Sequence, residues 1–485
     1  LLTAVSLWAH CVKEKTASPS VVCVGQDVTL TETGFDCDQV VFTNITVQSN
    51  PSAGVFTNCP SCGPCEGMTN CAVWTVVSVS LRSVTFSGGT SAFREILQDH
   101  GTATFASPHW TSTNQSPVAY VRNNPLTVSA VFAIEPANYA GGVVVRGTAA
   151  NGLIFSNAAG GVSGGLITLP ATASSASLAN QVDYLPALAV NWEYSVDGGA
   201  SFCNAGASTH PIYVTWQPPA QTTPTHTLLD VGCRAAQGEA GVPGTDDDKV
   251  LDKVWAKFQT KAIRRASDNV LLSYYGFFDV NSNGAWDAGT DIDFNSRDPN
   301  APNFCPVTSA ADLIRIGNGQ CGAWAEFLNE VLKAQGLAAI NGAANKLINI
   351  RPVAQNQRLP AQNWKTKGNP DWKIVNDYAG ITGANAVNPG NKQAADAVGK
   401  AGQGNSPNPP AWFERHYGVQ ANGAIYDPSY AVGPFADRKD HELTTFAGRI
   451  FPQGNHRRLE PLPPSDGNPA NDGDLMHIYQ EVNFP

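Results

Sequence analysis

The sequence predicts a multidomain chain in which all-β sandwiches precede an α+β domain. Three observations predict it. Residues 1–218 carry short runs rich in Val, Ile, Thr and aromatic residues, broken by turn-forming residues. From about residue 246, segments with the i, i+3, i+4 apolar rhythm of a helix appear beside further β-rich segments. The cysteines are unevenly placed, with seven of the eleven in the first 71 residues. At 485 residues the usual domain size gives about three domains, each large enough for its own core.

Composition excludes several function classes. Charged residues make up 14% of the chain, below the roughly 25% of an average soluble protein. The net charge is -10 and no basic stripe is present, so nucleic acid is not an expected partner. No apolar run approaches the ~20 residues that span a bilayer. The opening Leu1-Leu2-Thr3-Ala4-Val5-Ser6-Leu7-Trp8-Ala9 has the composition of a signal-peptide tail, but its alternation favours a strand.

In chain order, residues 1–80 read as a cysteine-rich β domain. Val21-Val22-Cys23-Val24, Val28-Thr29-Leu30-Thr31, 40–47 and 73–81 are its strands, spaced as in an immunoglobulin-like sandwich. Cys59, Cys62, Cys65 and Cys71 have a spacing open to a zinc knot or to disulfides. With no histidine nearby and further cysteines at 11, 23, 37, 203 and 233, disulfides are favoured. That cysteine usage implies an oxidising compartment and a secreted or surface protein. The odd total leaves one cysteine over if no bridge is intermolecular, and Cys321 is the natural candidate.

Residues 81–218 continue as a second β-sandwich, ending in two strands around Asp197-Gly198. Gly161-Val162-Ser163-Gly164-Gly165 matches G-x-S-x-G, but the residues that follow read as a strand, whereas a nucleophile elbow needs a helix there. Residues 219–245 read as a linker, with Pro218-Pro219 and several later glycines. At 246, Asp246-Asp247-Asp248 caps a helix with Val250, Val254, Phe258 and Ile263 on its apolar face.

Within the third domain, 279–291 resembles a calcium loop. Asp279, Asn281, Asn283 and Asp287 supply oxygens at positions 1, 3, 5 and 9, with Gly284 at the sharp turn. Thr290 stands where a bidentate Glu is usual, leaving Asp291 or Asp293 as the substitute ligand; an Asx-rich turn without metal has the same composition.

The chemistry concentrates in Gly317-Asn318-Gly319-Gln320-Cys321-Gly322-Ala323-Trp324-Ala325. Trp324, Ala325, Phe327, Leu328, Val331 and Leu332 mark one buried face of a helix that Gly336 terminates. A thiol on its first turn faces the positive end of the helix dipole, which favours a thiolate. Such a nucleophile needs a histidine and a group to orient it. His416 lies in a β-rich segment joined by Asn422-Gly423 to Ala424-Ile425-Tyr426-Asp427. A two-residue Asn-Gly turn puts Val419 opposite Tyr426 and Gly418 opposite Asp427. His416 and Asp427 then share a face as diagonal neighbours about 7–8 Å apart, and Gly418 leaves the carboxylate room to lean across. A purely structural His–Asp hydrogen bond has the same spacing.

Gly319-Gln320-Cys321-Gly322-Ala323-Trp324-Ala325 opening a helix, followed by His416 on a strand and Asp427-Pro428-Ser429 on the next, resembles the transglutaminase-like cysteine superfamily over residues 246–485. The resemblance implies a papain-like α+β core with Cys321 as nucleophile, His416 as general base and acid, and Asp427 as orienter. It further implies a thioester formed from a protein or peptide amide and passed to an amine or water. The interval from Cys321 to His416 exceeds the family's, and the excess is assigned to the loop 380–410. Trp286 stands at the family's distance for an oxyanion tryptophan, and Gln320 is a second candidate beside the Cys321 N–H. The alternative is a surface or assembly protein in which this domain is a non-catalytic module, with the β domains serving attachment or self-association.

Overall fold

The computed structural model describes residues 11–35, 41–50, 52–58, 72–274, 277–278, 292–293, 308–354, 356–360, 374–375, 402–405, 412–446, 448–453, 456–461, 475 and 477–483. The chain is multidomain and mostly β-sheet, with few helices. The calcium-loop positions Asp279, Asn281, Asn283, Asp287 and Asp291, and Trp286, lie outside the described residues, as do Cys59, Cys62, Cys65 and Cys71.

The strand Ala72–Ser87 organises the N-terminal half. It runs for 16 residues, and its burial alternation changes phase at Val76 and Val77, both buried, one in each of two cores. Its first part pairs antiparallel with Gly54–Asn58 and parallel with Val21–Cys23, over a small core of Val22, Val28, Leu30, Trp74 and Val76. Its second part pairs with Pro125–Glu135 in a seven-stranded sheet. That sheet packs on a six-stranded one holding Asp183–Ser195 and Cys203–Thr215. Phe132, Phe155, Trp192, Tyr194 and Tyr120 fill the space between them. The expected boundary at residue 80 thus falls inside one strand, because a single segment pairs with strands on both sides of that boundary. The disulfide Cys23–Cys203 ties the first β unit to the second, where stapling within the first was expected. After the G-x-S-x-G stretch, Gly164 and Gly165 turn the chain into the strand Leu166–Ser177, so no nucleophile elbow forms.

The linker expected at 219–245 requires correction. It contains helix α1 (His226–Ala235), whose Leu228, Leu229, Val231 and Cys233 join a core shared with the sandwich residues Tyr213 and Trp216. Proline and glycine set the ends of this segment, but its middle is amphipathic and buried. Arg122 locks the junction. Its guanidinium stacks 3.5 Å over the Trp216 ring and donates to the carbonyls of Trp216, Asn180 and Gly241. Trp216 Nε1 donates to Asp247 on helix α2 (Asp247–Gln259) at 2.8 Å.

The C-terminal part sets helix α4 (Cys321–Ala334), preceded by α3 (Ala310–Ile316), against an antiparallel five-stranded sheet. The sheet order is Val432–Phe435, Ala424–Asp427, His416–Ala421, Lys346–Pro352 and His477–Val482. Ten of the fourteen α4 residues are buried, which makes it the axis of this core. Gly336 ends the helix at φ 79°, and a Cβ there would lie 2.5 Å from Gln217 Cβ, so chain reversal and close approach both require glycine. Helix α5 (Arg438–Thr445) follows the sheet's outer strand, capped by Asp437, which accepts from the Asp440 N–H.

Candidate active site

Cys321 is the first residue of α4, after Gln320 in an extended N-cap conformation. Ser309 caps α3, and the αL residue Gly317 turns the chain so that Asn318–Gly319 can pair with Ser273–Tyr274. Packing at the loop is tight, since a Cβ on Gly319 would sit 3.0 Å from Ala323 Cβ and 3.1 Å from Leu313. The cysteine is a free thiol, 5% exposed, and its first-turn N–H groups precede the first helical acceptor, the Gln320 carbonyl bonded to the Trp324 N–H. Gln320 itself is half-buried and makes no side-chain cap bond.

The Asn-Gly turn delivers the partners. Asn422 and Gly423 both adopt positive φ, 48° and 77°, and the hairpin pairs Val419 with Tyr426 and Ala421 with Ala424. His416 and Asp427, both fully buried, meet on one face with Nε2 2.9 Å from Oδ2. Gly418 lets the two strands approach closely here, because a Cβ there would lie 3.0 Å from the Tyr426 carbonyl oxygen. The other carboxylate oxygen of Asp427 accepts from the N–H groups of Ser429 at 3.1 Å and Tyr430 at 3.4 Å. The Cys321 side chain acts on the same ring, so helix mouth and hairpin converge on one imidazole.

Electrostatics follow from that contact. Burial works against a charged imidazole, but the charge and hydrogen bond of Asp427, then those of Cys321, outweigh it and hold His416 well above its ordinary pKa. Burial also opposes ionisation of Asp427. The charge and hydrogen bond of His416, the charge of His441 and the Tyr430 N–H hold its carboxyl below its ordinary value. The arrangement favours a charged imidazolium–carboxylate pair beside a sulfur.

Several supporting residues carried no sequence signal. Gln403 is fully buried; its side chain donates to the carbonyls of Phe258 and Pro428, and its N–H donates to Ser429, clamping the Asp-Pro-Ser segment. Tyr274 meets Tyr430 edge-on at 4.8 Å, and Tyr430 packs 5.7 Å from His416. The Tyr417 side chain and the Cys321 charge both act on the Arg415 guanidinium and raise its pKa, while its neighbour Glu414 pairs with Arg358 at 2.6 Å. Glu414 and Arg415 are both exposed, as ordinary surface charges are. Behind Asp427 lie His441 and Glu442 of α5 and His477 and Tyr479 of the edge strand, all buried. Such residues belong to distant segments, and a histidine or glutamine alone has no periodicity to reveal it.

Among the described residues, no group of His, Cys, Asp and Glu has the arrangement of a metal site, and no helix is long and apolar enough to cross a membrane. No family model matches the chain, and no curated protein matches it. Among solved structures, a partial likeness is found to the Escherichia coli protein described as "FdeC, a Novel Broadly Conserved Escherichia coli Adhesin Eliciting Protection against Urinary Tract Infections". The identity is 14%, the match covers 42% of this chain and 64% of the adhesin chain, and the TM-score is 0.18. A similarity of that size assigns neither a family nor a function, so the site is read from its own chemistry.

Proposed function

We propose that the chain is a secreted or surface cysteine acyltransferase or hydrolase of transglutaminase-like type, acting on protein or peptide amides. The observation that carries the reading is the convergence on His416, with Asp427 bonded to its Nε2 and the Cys321 side chain acting on the same ring. In this reading Cys321 sulfur attacks the amide carbonyl carbon, forming a C–S bond and a tetrahedral oxyanion facing the first-turn N–H groups of α4. His416 gives its proton to the departing amine as the C–N bond breaks, leaving a thioester. An incoming amine or water then loses its proton to His416, attacks the thioester and releases the sulfur. Asp427 holds the ring so that one nitrogen always faces the sulfur. The Cys23–Cys203 disulfide supports an oxidising compartment.

A second reading is favoured by the 5% exposure of Cys321. Under it the chain is a surface or assembly protein whose Cys–His–Asp set is a buried polar cluster. Iodoacetamide separates the two at mildly acidic to neutral pH. The enzyme reading expects alkylation at Cys321, lost in His416→Ala, while the other free cysteine among the described residues stays unlabelled. That internal control is Cys233, fully buried, its thiol pushed up to about 12 chiefly by desolvation. Equal, slow labelling of Cys321 in both proteins overturns the enzyme reading.

A further inference from the structure

The polar cluster behind the carboxylate has its own order. His441 is fully buried on α5, and its Nε2 lies 4.0 Å from Asp427 Oδ2, the same oxygen that His416 approaches. On the opposite side, His441 Nδ1 is 2.8 Å from the Tyr479 hydroxyl. Phe435, Phe446 and Tyr479 surround the ring edge-on at 5.2 to 5.8 Å, so the imidazole has little room to turn. Phe446 also packs against His416 and His477, which joins the two histidine layers.

We propose that His441 is a positioning residue for this site, presenting its Nε2–H to Asp427 so that the carboxylate stays aligned with His416. The inference rests on the Cys321–His416–Asp427 reading and extends it. The proton bookkeeping favours this tautomer. Burial and the nearby charges of Glu442 and Asp427 raise the Tyr479 phenol well above its ordinary pKa, so it stays an O–H donor. Where the phenol donates to Nδ1, a neutral imidazole carries its proton on Nε2, facing the carboxylate, and the charged imidazole that helps hold Asp427 low carries one there too. Among the described residues, the charged or titratable groups around this ring are Asp427 from the hairpin, Tyr479 and His477 from the edge strand, and Glu442 and Lys439 from its own helix. Glu442 is committed elsewhere: it accepts from the His477 N–H and ring at 3.0 and 2.8 Å and meets Lys439 at 3.3 Å. The carboxylate oxygen that His441 Nε2 approaches is Asp427 Oδ2, at 4.0 Å.

The test needs no substrate. The rate of Cys321 alkylation by iodoacetamide is measured against pH in the full chain, in His441→Phe, His441→Gln and Tyr479→Phe, with ¹⁵N-histidine spectra reporting the His416 titration separately. His441→Phe should slow alkylation about tenfold through misalignment of the orienting group. It should also lower the His416 midpoint by about one pH unit. His441→Gln, which can donate to Asp427 and accept from Tyr479, should restore much of both, and Tyr479→Phe should show a smaller effect of the same sign. If His441→Phe leaves rate and midpoint at wild-type values, or if His441→Gln is as impaired as His441→Phe, the positioning role is refuted. Wild-type Cys321 that fails to alkylate would sink the enzyme reading itself. The histidine spectra would then still decide whether His441 holds the pair.

Discussion

Asp427→Asn is the perturbation whose outcome is most tightly bound to the geometry. It removes charge from a pair in which both side chains are fully buried and 2.9 Å apart. The amide keeps an oxygen for the Ser429 and Tyr430 N–H groups, but turned that way it points an N–H at His416 Nε2. Two opposite pKa displacements set the pH window. The Asp427 carboxyl is held low in the folded chain, so its contribution is present above the unfolded value of about 3.9 and lost as pH falls through the folded one. His416 is held high, so its contribution is complete below about 6.5 and lost as pH rises through its folded value. The pair therefore stabilises most between about pH 4 and 6.5. Breaking a buried pair costs about 3–5 kcal/mol, and the retained acceptor places this one near the lower end, about 3 kcal/mol at pH 5.5. Raising the pH to 8 passes about 1.5 units beyond the unfolded histidine pKa and removes about 2 kcal/mol of the wild-type advantage. Urea unfolding followed by tryptophan fluorescence at pH 5.5 and 8 measures both gaps, read on the transition that the substitution moves. A gap that is independent of pH, or larger at pH 8, would show that no charged pair forms.

Two further outcomes follow from contacts elsewhere. Arg122→Met keeps stacking volume over Trp216 but strips donors from three carbonyls, and at about 1 kcal/mol each should cost about 3 kcal/mol. Limited proteolysis near residue 241 should accelerate with it, and an unchanged cleavage rate would argue against that junction. At the hairpin, Gly418→Ala forces a Cβ to 3.0 Å from the Tyr426 oxygen and should lower stability by about 1–3 kcal/mol, with slower Cys321 alkylation. Gly322→Ala meets only ordinary contacts, 3.5 Å to the Thr308 oxygen and 3.7 Å to the Tyr417 ring, and should keep the melting temperature of the parent. If the two variants behave alike, backbone closeness in the hairpin is not what brings Asp427 to His416.

The legible parts of this molecule are those written in local rules. A 3.6-residue apolar period and a stop glycine define α4 and put Cys321 at its mouth. An Asn-Gly pair with both φ values positive dictates a hairpin register, and alternation of faces then sets His416 beside Asp427. Neither inference needs knowledge of any residue far away. The tertiary structure alone decided that Ala72–Ser87 contributes to two cores, that α1 fills a shared core where a linker was expected, and that Cys23 bonds Cys203. It alone brought Cys321 to His416 across 95 positions of chain, and His441 and Tyr479 up behind the carboxylate. Burial of an apolar face leaves a period in the sequence that creates it. A hydrogen bond between single polar residues on separate elements leaves none, because its energy depends on where packing has already carried the backbone.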